Sequence, residues 1–214
     1  PEDRGGQLIA SGRGRWLALS ALSSDGELTD SFEKIGSELD RLREALDHQN
    51  PAPRQAAIEA LGAITEDAAR ELLELPLARD KKPELKVLAA KLLGQGARRR
   101  ARAALRAALS DAHPDVRRAA FDALGTIEAD DPLATARAGL ASSAEDLRLL
   151  AVERLPALRQ RSPLVPGLIA ERLSDGAAAV RVKALDALFG LEPAGALEPV
   201  RLTMKRGAPD VRAE

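Results

Sequence analysis

The sequence predicts an all-α protein, an α-solenoid of stacked helical hairpins. Three observations carry that expectation. A basic residue behind an apolar one recurs at Arg54, Lys86, Arg117, Arg148, Arg181 and Arg212, with separations of 32, 31, 31, 33 and 31 residues, the mark of an internal repeat. Hydrophobic residues make up 45% of the 214, yet only 2% are aromatic and Tyr is absent. The core must therefore come from Leu, Ala, Val and Ile, which suits closely packed helices better than a β-sandwich. Pro51, Pro83 and Pro114 stand where second helices would open, and Gly62, Gly94, Gly125 and Gly190 near their ends. Pro at a first helical position loses no intrahelical bond, and Gly takes a left-handed cap at little cost.

Taken in order, residues 1–28 differ from the rest and read as an N-terminal cap or the tail of a preceding domain. Gln7-Leu-Ile-Ala-Ser, Gly12-Arg-Gly14 and Arg15-Trp-Leu-Ala-Leu-Ser suggest a hairpin; a helix beginning near Trp16 is the competing reading. Ser23-Ser-Asp-Gly26 is a second turn signal. Residues 29–214 read as five repeats plus a truncated sixth. Asp30 with Glu33 resembles a capping box, opening a helix from about Ser31 to Asp47 with Phe32, Ile35, Leu39, Leu42 and Leu46 on one face. Asn50-Pro51 then starts a second helix carrying Ala57, Ile58 and Leu61.

The unit repeats in register. Three residues after the first five anchors stands Ala57, Ala89, Ala120, Ala151 or Ala184, and one further Ile58, Ala90, Phe121, Val152 or Leu185. Seven after comes Leu61, Leu93, Leu124, Leu155 or Leu188; eight before, on the preceding helix, lies Leu46, Ala78, Leu109, Leu140, Leu173 or Met204. At about 100° per residue, offsets −1, +3, +4 and +7 share one helix face. Ala at +3 allows close approach and Leu at +7 fills the gap between layers, so stacked units share an elongated core.

Within this frame Asp111-Ala-His-Pro-Asp-Val-Arg-Arg-Ala-Ala-Phe-Asp-Ala-Leu-Gly125 resembles the HEAT repeat, and the short period is similar to the HEAT-like repeats of phycobilisome lyases. The resemblance implies a right-handed solenoid over roughly residues 31–214. It also implies that an Asp six residues before the anchor helps build a hydrogen-bonded ladder between units. Asp80, Asp111 and Asp175 match that spacing, repeat one shifts it to Asp47, and repeat four has Ser142. The anchors are accordingly expected to be paired rather than free. Tetratricopeptide and ankyrin repeats share the period but require bulky aromatics or a Thr-Pro-Leu-His turn, and this chain has neither.

Charge and chemistry narrow the function. The 32 basic residues nearly cancel 33 acidic ones, for a net charge of −1, which argues against general attraction to nucleic acid or an anionic membrane. Without Cys there are no disulfides, thiolate ligands or cysteine nucleophiles. No apolar run nears the length of a membrane span and no signal-peptide pattern is present, so a cytoplasmic location is expected. Ala- and Arg-rich usage hints at a bacterial source. The chain opens on Pro1 and stops just after Val211-Arg212, where a sixth second helix should begin, so the natural protein is expected to continue.

The expected site is the ridge of the second helices at offsets +1 and +5, opposite the core: Gln55 and Glu59, Val87 and Lys91, Arg118 and Asp122, Leu149 and Glu153, Val182 and Asp186. Val87, Leu149 and Val182 are apolar where solvent is expected, with Leu88 and Leu150 beside two of them. In the HEAT resemblance this face is concave and would bind another protein, or another domain of the same chain. The alternative is scattered surface apolar residues without a role. A second candidate is the basic run Arg98, Arg99, Arg100, Arg102 and Arg106, suited to a polyanion; without interleaved aromatics nothing would stack on bases, and a solvated helix face is the plain alternative. His48 and His113 occupy similar turns, but neither precedes a Glu as HEAT-like deoxyhypusine hydroxylases require, so they read as capping or solvent residues. No metal, cofactor or catalytic set is expected, and the chain reads as a non-enzyme.

Overall fold

The computed structural model describes residues 7–10, 16–19, 26–95 and 99–191. The chain folds as two compact units dividing after Ala104. In the first, β1 (Gln7–Ala10) pairs antiparallel with β2 (Trp16–Leu19), Gln7 opposite Leu19 and Ala10 opposite Trp16. The hairpin thus forms and the alternative helix from Trp16 does not. β2 lies against α1 (Gly26–Leu46). That helix starts earlier than expected, because Leu28 extends the 32, 35, 39 apolar spacing back by one turn. Asp30 therefore sits inside α1 and is not its N-cap, which corrects the capping-box reading.

Two hairpins follow in this unit: α1 with α2 (Pro51–Ala63), then α3 (Asp67–Arg79) with α4 (Pro83–Gln95). Asn50 caps α2 as its sequence implies, its side chain accepting the Ala52 N–H at 3.0 Å with Pro51 at the first helical position. A 3-10 turn, Arg99–Ala101, leads into α5 (Arg102–Ala108), the helix in which the division between units falls. The second unit continues with α6 (Pro114–Ile127), α7 (Pro132–Leu140) and α8 (Glu145–Arg154). A 3-10 turn at Leu155–Leu158 follows α8 where Pro156 cannot continue the ladder of bonds. Last come α9 (Val165–Ala170), its 3-10 extension Glu171–Ser174, and α10 (Ala178–Leu191). The sixth unit, with Met204 and Arg212, lies outside the described residues.

The core follows the repeat. At +3, +4 and +7 every residue is buried in all five units, and at −1 Leu85, Val116, Leu147 and Val180 are buried too. At −8 the pattern fails once. Ala78 is exposed, and α3 instead turns Pro76 and Leu77 inward, a larger apolar area removed from water.

The glycines also differ from expectation. Helices α2, α4, α6 and α10 run past Gly62, Gly94, Gly125 and Gly190, so these residues are helical rather than left-handed caps. At Gly62 the reason is packing: a Cβ there would stand 2.7 Å from the Leu92 side chain of α4. Within the second unit, Gly139 of α7 similarly lets Phe121 and Ala151 approach, a Cβ meeting them at 2.6 and 2.8 Å.

Candidate functional site: the second-helix ridge

An arginine ladder fixes the second helices in place. The anchor Arg reaches backwards and forwards at once. Nη1 of Arg54 donates to the His48 and Gln49 carbonyls of its own turn, both at 2.9 Å, while Nε and Nη2 grip Asp80 of the next turn at 2.8 and 3.1 Å. Arg148 repeats this with the Ser142 and Ser143 carbonyls and with Asp175, both carboxylate bonds at 2.9 Å. Arg117 donates to the Asp111 and Ala112 carbonyls, and Arg181 to those of Asp175 and Gly176. The Asp at −6 thus serves its own turn by accepting the N–H two residues on, from Lys82, His113 or Ala177, and at Asp80 and Asp175 it also receives the Arg of the unit before. A planar guanidinium suits this double task.

Two substitutions in the ladder were not legible. Ser142 offers no carboxylate, and Arg117 pairs instead with Asp146 in the first turn of α8, at 2.7 and 3.0 Å. In the first turn the Asp is expected one residue early, at Asp47; the residue six before Arg54 is His48, and its Nδ1 accepts the Asn50 N–H at 3.0 Å. His48 is therefore a turn residue, and His113 stands exposed before Pro114. Among the described residues no cluster of His, Asp or Glu is placed to hold a metal.

The rungs carry their charge into a partly dry layer. Burial alone would push the Asp80 carboxyl up. The Arg54 fork and the Lys82 N–H outweigh it and hold Asp80 below the ordinary carboxylate value. Asp175 is held low in the same way, burial being overcome by Arg148 and the Ala177 N–H. Glu74 of α3 goes the other way: burial raises it, and repulsion from Glu71 adds to the rise.

With the core and ladder satisfied, the ridge is what remains. In the first unit Gln55, Glu59 and Lys91 are exposed and Val87 is half-buried; Gln55 donates to Glu59 at 2.9 Å. In the second, Arg118, Asp122, Glu153 and Asp186 are exposed, whereas Leu149 and Val182 are half-buried. Helices α8 and α10, which carry Leu149 and Val182, pack beside each other. Arg154 of α8 reaches Asp122 of α6 at 2.9 Å, a cross-helix tie that offsets +1 and +5 could not reveal because Arg154 stands at +6.

The basic run is mostly engaged within the fold. Arg100 is exposed but 3.1 Å from Asp67, and Arg102 is half-buried with its Nε in the interior. Arg106 bonds Glu128 at 2.8 Å; this carboxylate, almost wholly buried, also accepts from Thr135 at 2.8 Å. Arg98 lies outside the described residues, and Arg99 is placed only as backbone in the 3-10 turn.

Comparison with known proteins agrees with the motif. Residues 74–156 match the family model for HEAT repeats. That segment is built of HEAT repeats. Solved structures extend the likeness of fold beyond it. The crystal structure of the Escherichia coli protein YibA shares 18% identity over 84% of this chain and 71% of its own, with a TM-score of 0.53. A chain from a structure concerned with TOG–tubulin binding specificity shares 15% over 87% and 89%, also at 0.53. The complex of CpcE and CpcF of phycocyanin lyase from Nostoc sp. PCC7120 shares 21% over 84% and 77%, at 0.43. No curated protein matches the sequence. No helix among the described residues is long and apolar enough to cross a membrane.

Proposed function

We propose that residues 29–214 form a non-catalytic interaction module, with residues 1–28 as its N-terminal cap. It binds another protein, or another domain of the same chain, along the surface lined by the second helices. The observation that carries this is the ridge of the second unit. There Arg118, Asp122, Leu149, Glu153, Val182 and Asp186 stand on successive helices, tied across α6 and α8 by the 2.9 Å Asp122–Arg154 pair. Two half-buried apolar side chains, Leu149 and Val182, bordered by exposed charged ones resemble the centre and rim of a protein interface. The chain related to TOG–tubulin binding supports the reading as an architecture that meets a protein partner. At 15% identity the likeness is one of fold, and tubulin is not carried over.

The test is photo-crosslinking from Glu153 in the native host, followed by an affinity measurement with the partner so identified. Leu149→Glu with Val182→Glu is expected to abolish binding while far-UV helical signal persists. Because both side chains are half-buried, the exposed pair Arg118→Glu with Asp186→Lys is the companion variant. Undiminished affinity in both variants sinks the proposal. So would crosslinking of the same partner from Arg137, which is exposed on first helix α7.

A further inference from the structure

The first unit holds a cleft that the ridge does not explain. It lies where the α1–α2 turn meets the α3–α4 turn, has a volume of about 430 Å³, and is lined by none of the ridge residues. That size falls within the range of about 300–1,000 Å³ usual for binding clefts. Leu46, Leu75, Pro51 and Pro76 supply apolar lining; the charged lining comprises five cationic residues and two acidic ones. Such an excess is local, since the whole chain carries −1. Arg54 and Asp80 neutralise each other in the ladder rung. Arg43, Arg79, Lys81 and Lys82 then stand against Asp47 alone, a net excess of three cations; Arg79, Lys81 and Lys82 are exposed on the rim, as is Asp47.

We infer that this cleft docks an acidic peptide segment, its aliphatic stems against Leu75 and the prolines and its carboxylates against Arg79, Lys81 and Lys82. Charge complementarity selects an anionic occupant. The apolar lining favours a chain that carries aliphatic carbon beside its charges over a small inorganic ion. No Phe, Tyr or Trp lines the cleft; the small His48 ring, tied to the Asn50 N–H, is its one aromatic surface and a poor platform for stacking bases. The surface is distinct from the second-helix ridge and does not depend on it.

Fluorescence anisotropy with a fluorescein-labelled oligoglutamate at low salt tests the assignment on the full chain. Saturable binding is expected, falling as salt rises. Lys81→Glu with Lys82→Glu should weaken it about tenfold or more, the scale of reversing two charges at a screened contact. Lys81→Ala with Lys82→Ala should give an intermediate loss, and Arg118→Glu on the ridge no change. Both lysines are exposed, so matching thermal melts are expected for these variants. Absence of binding at low salt, or affinity indifferent to the lysine variants, overturns the inference. Oligodeoxythymidylate binding as tightly and lost to the same variants would make the cleft a general polyanion site, and displacement of the peptide by equimolar inorganic phosphate would make it a small-anion site. Either result overturns the peptide assignment.

Discussion

Two rungs of the ladder in the second unit differ in one respect, and that difference can be measured. Arg117 and Arg148 each donate through Nη1 to two carbonyls of their own turn and fork onto one carboxylate of the next. The acceptor of Arg148, Asp175, is 5% exposed, whereas that of Arg117, Asp146, is 37% exposed. Arg148→Ala therefore leaves a nearly buried carboxylate held by the Ala177 N–H without its counter-ion, at a cost of about 3 kcal/mol. Arg117→Ala leaves a carboxylate that water can reach, at about 1 kcal/mol. The carbonyl bonds are lost in both and cancel in the comparison. The difference of about 2 kcal/mol corresponds to about 1 M in urea midpoint for a chain of this size, readable by circular dichroism. A double-mutant cycle with Asp175→Ala should return a coupling of about 2 kcal/mol for the buried rung. Asp175 is held below its ordinary value of about 3.9. Its contribution is thus present above that pH and lost as pH falls through the lower folded value. The Arg148→Ala penalty should accordingly shrink near pH 3. Equal costs for the two arginines, or an unchanged Arg148 penalty in acid, would refute the reasoning.

Other outcomes follow from packing and charge. Gly139→Ala should destabilise by about 1–3 kcal/mol, because its Cβ would meet Phe121 and the fixed Ala151 Cβ at 2.6 and 2.8 Å. Gly125→Ala, with nothing within 4 Å, should stabilise by about 0.5–1 kcal/mol, and thermal melts of the pair decide both. Thr135→Val removes the donor at 2.8 Å from the buried Glu128 carboxylate and should cost about 1–2 kcal/mol in urea titrations. Glu74 is raised by burial and by Glu71, so its ionisation opposes folding once pH exceeds the unfolded value of about 4.3. Glu74→Gln should raise the melting temperature at pH 7 and make no difference below about pH 4.

The repeat was legible because it constrains many positions at once. Ala at +3 and Leu at +7 are buried in every described unit, and no single residue had to carry the inference. What stayed hidden were choices made between residues that the period does not relate. Asp146 takes the place of a missing Asp at 142 from four residues further on, inside a helix turn whose charges look like ordinary first-turn acids. His48 substitutes for Asp through a ring nitrogen, which no count of carboxylates would find. Gly62 looks like a helix stop in sequence, yet its lack of a Cβ serves a neighbouring helix, as that of Gly139 does. Pro76 inside α3 reads as a break but is buried in the turn that helps line the cationic cleft.

The same distinction separates framework from site. A residue fixed by the period is already committed to core or ladder, as the Arg54, Arg117 and Arg148 forks show. A residue free to differ between units can be shaped by a partner. On the second helices those residues are the +1 and +5 side chains, which run from Gln and Glu in the first unit to Val and Lys, Arg and Asp, Leu and Glu, and Val and Asp in the following four. These positions vary although the +3 residue that stands between them is Ala in all five repeats. The core beneath is constant at +3 and +7, Ala and Leu, and changes in size only at +4, from Ala90 to Phe121. Under the proposed function, the demand that sets the +1 and +5 residues of each repeat is the surface of the partner laid against the ridge.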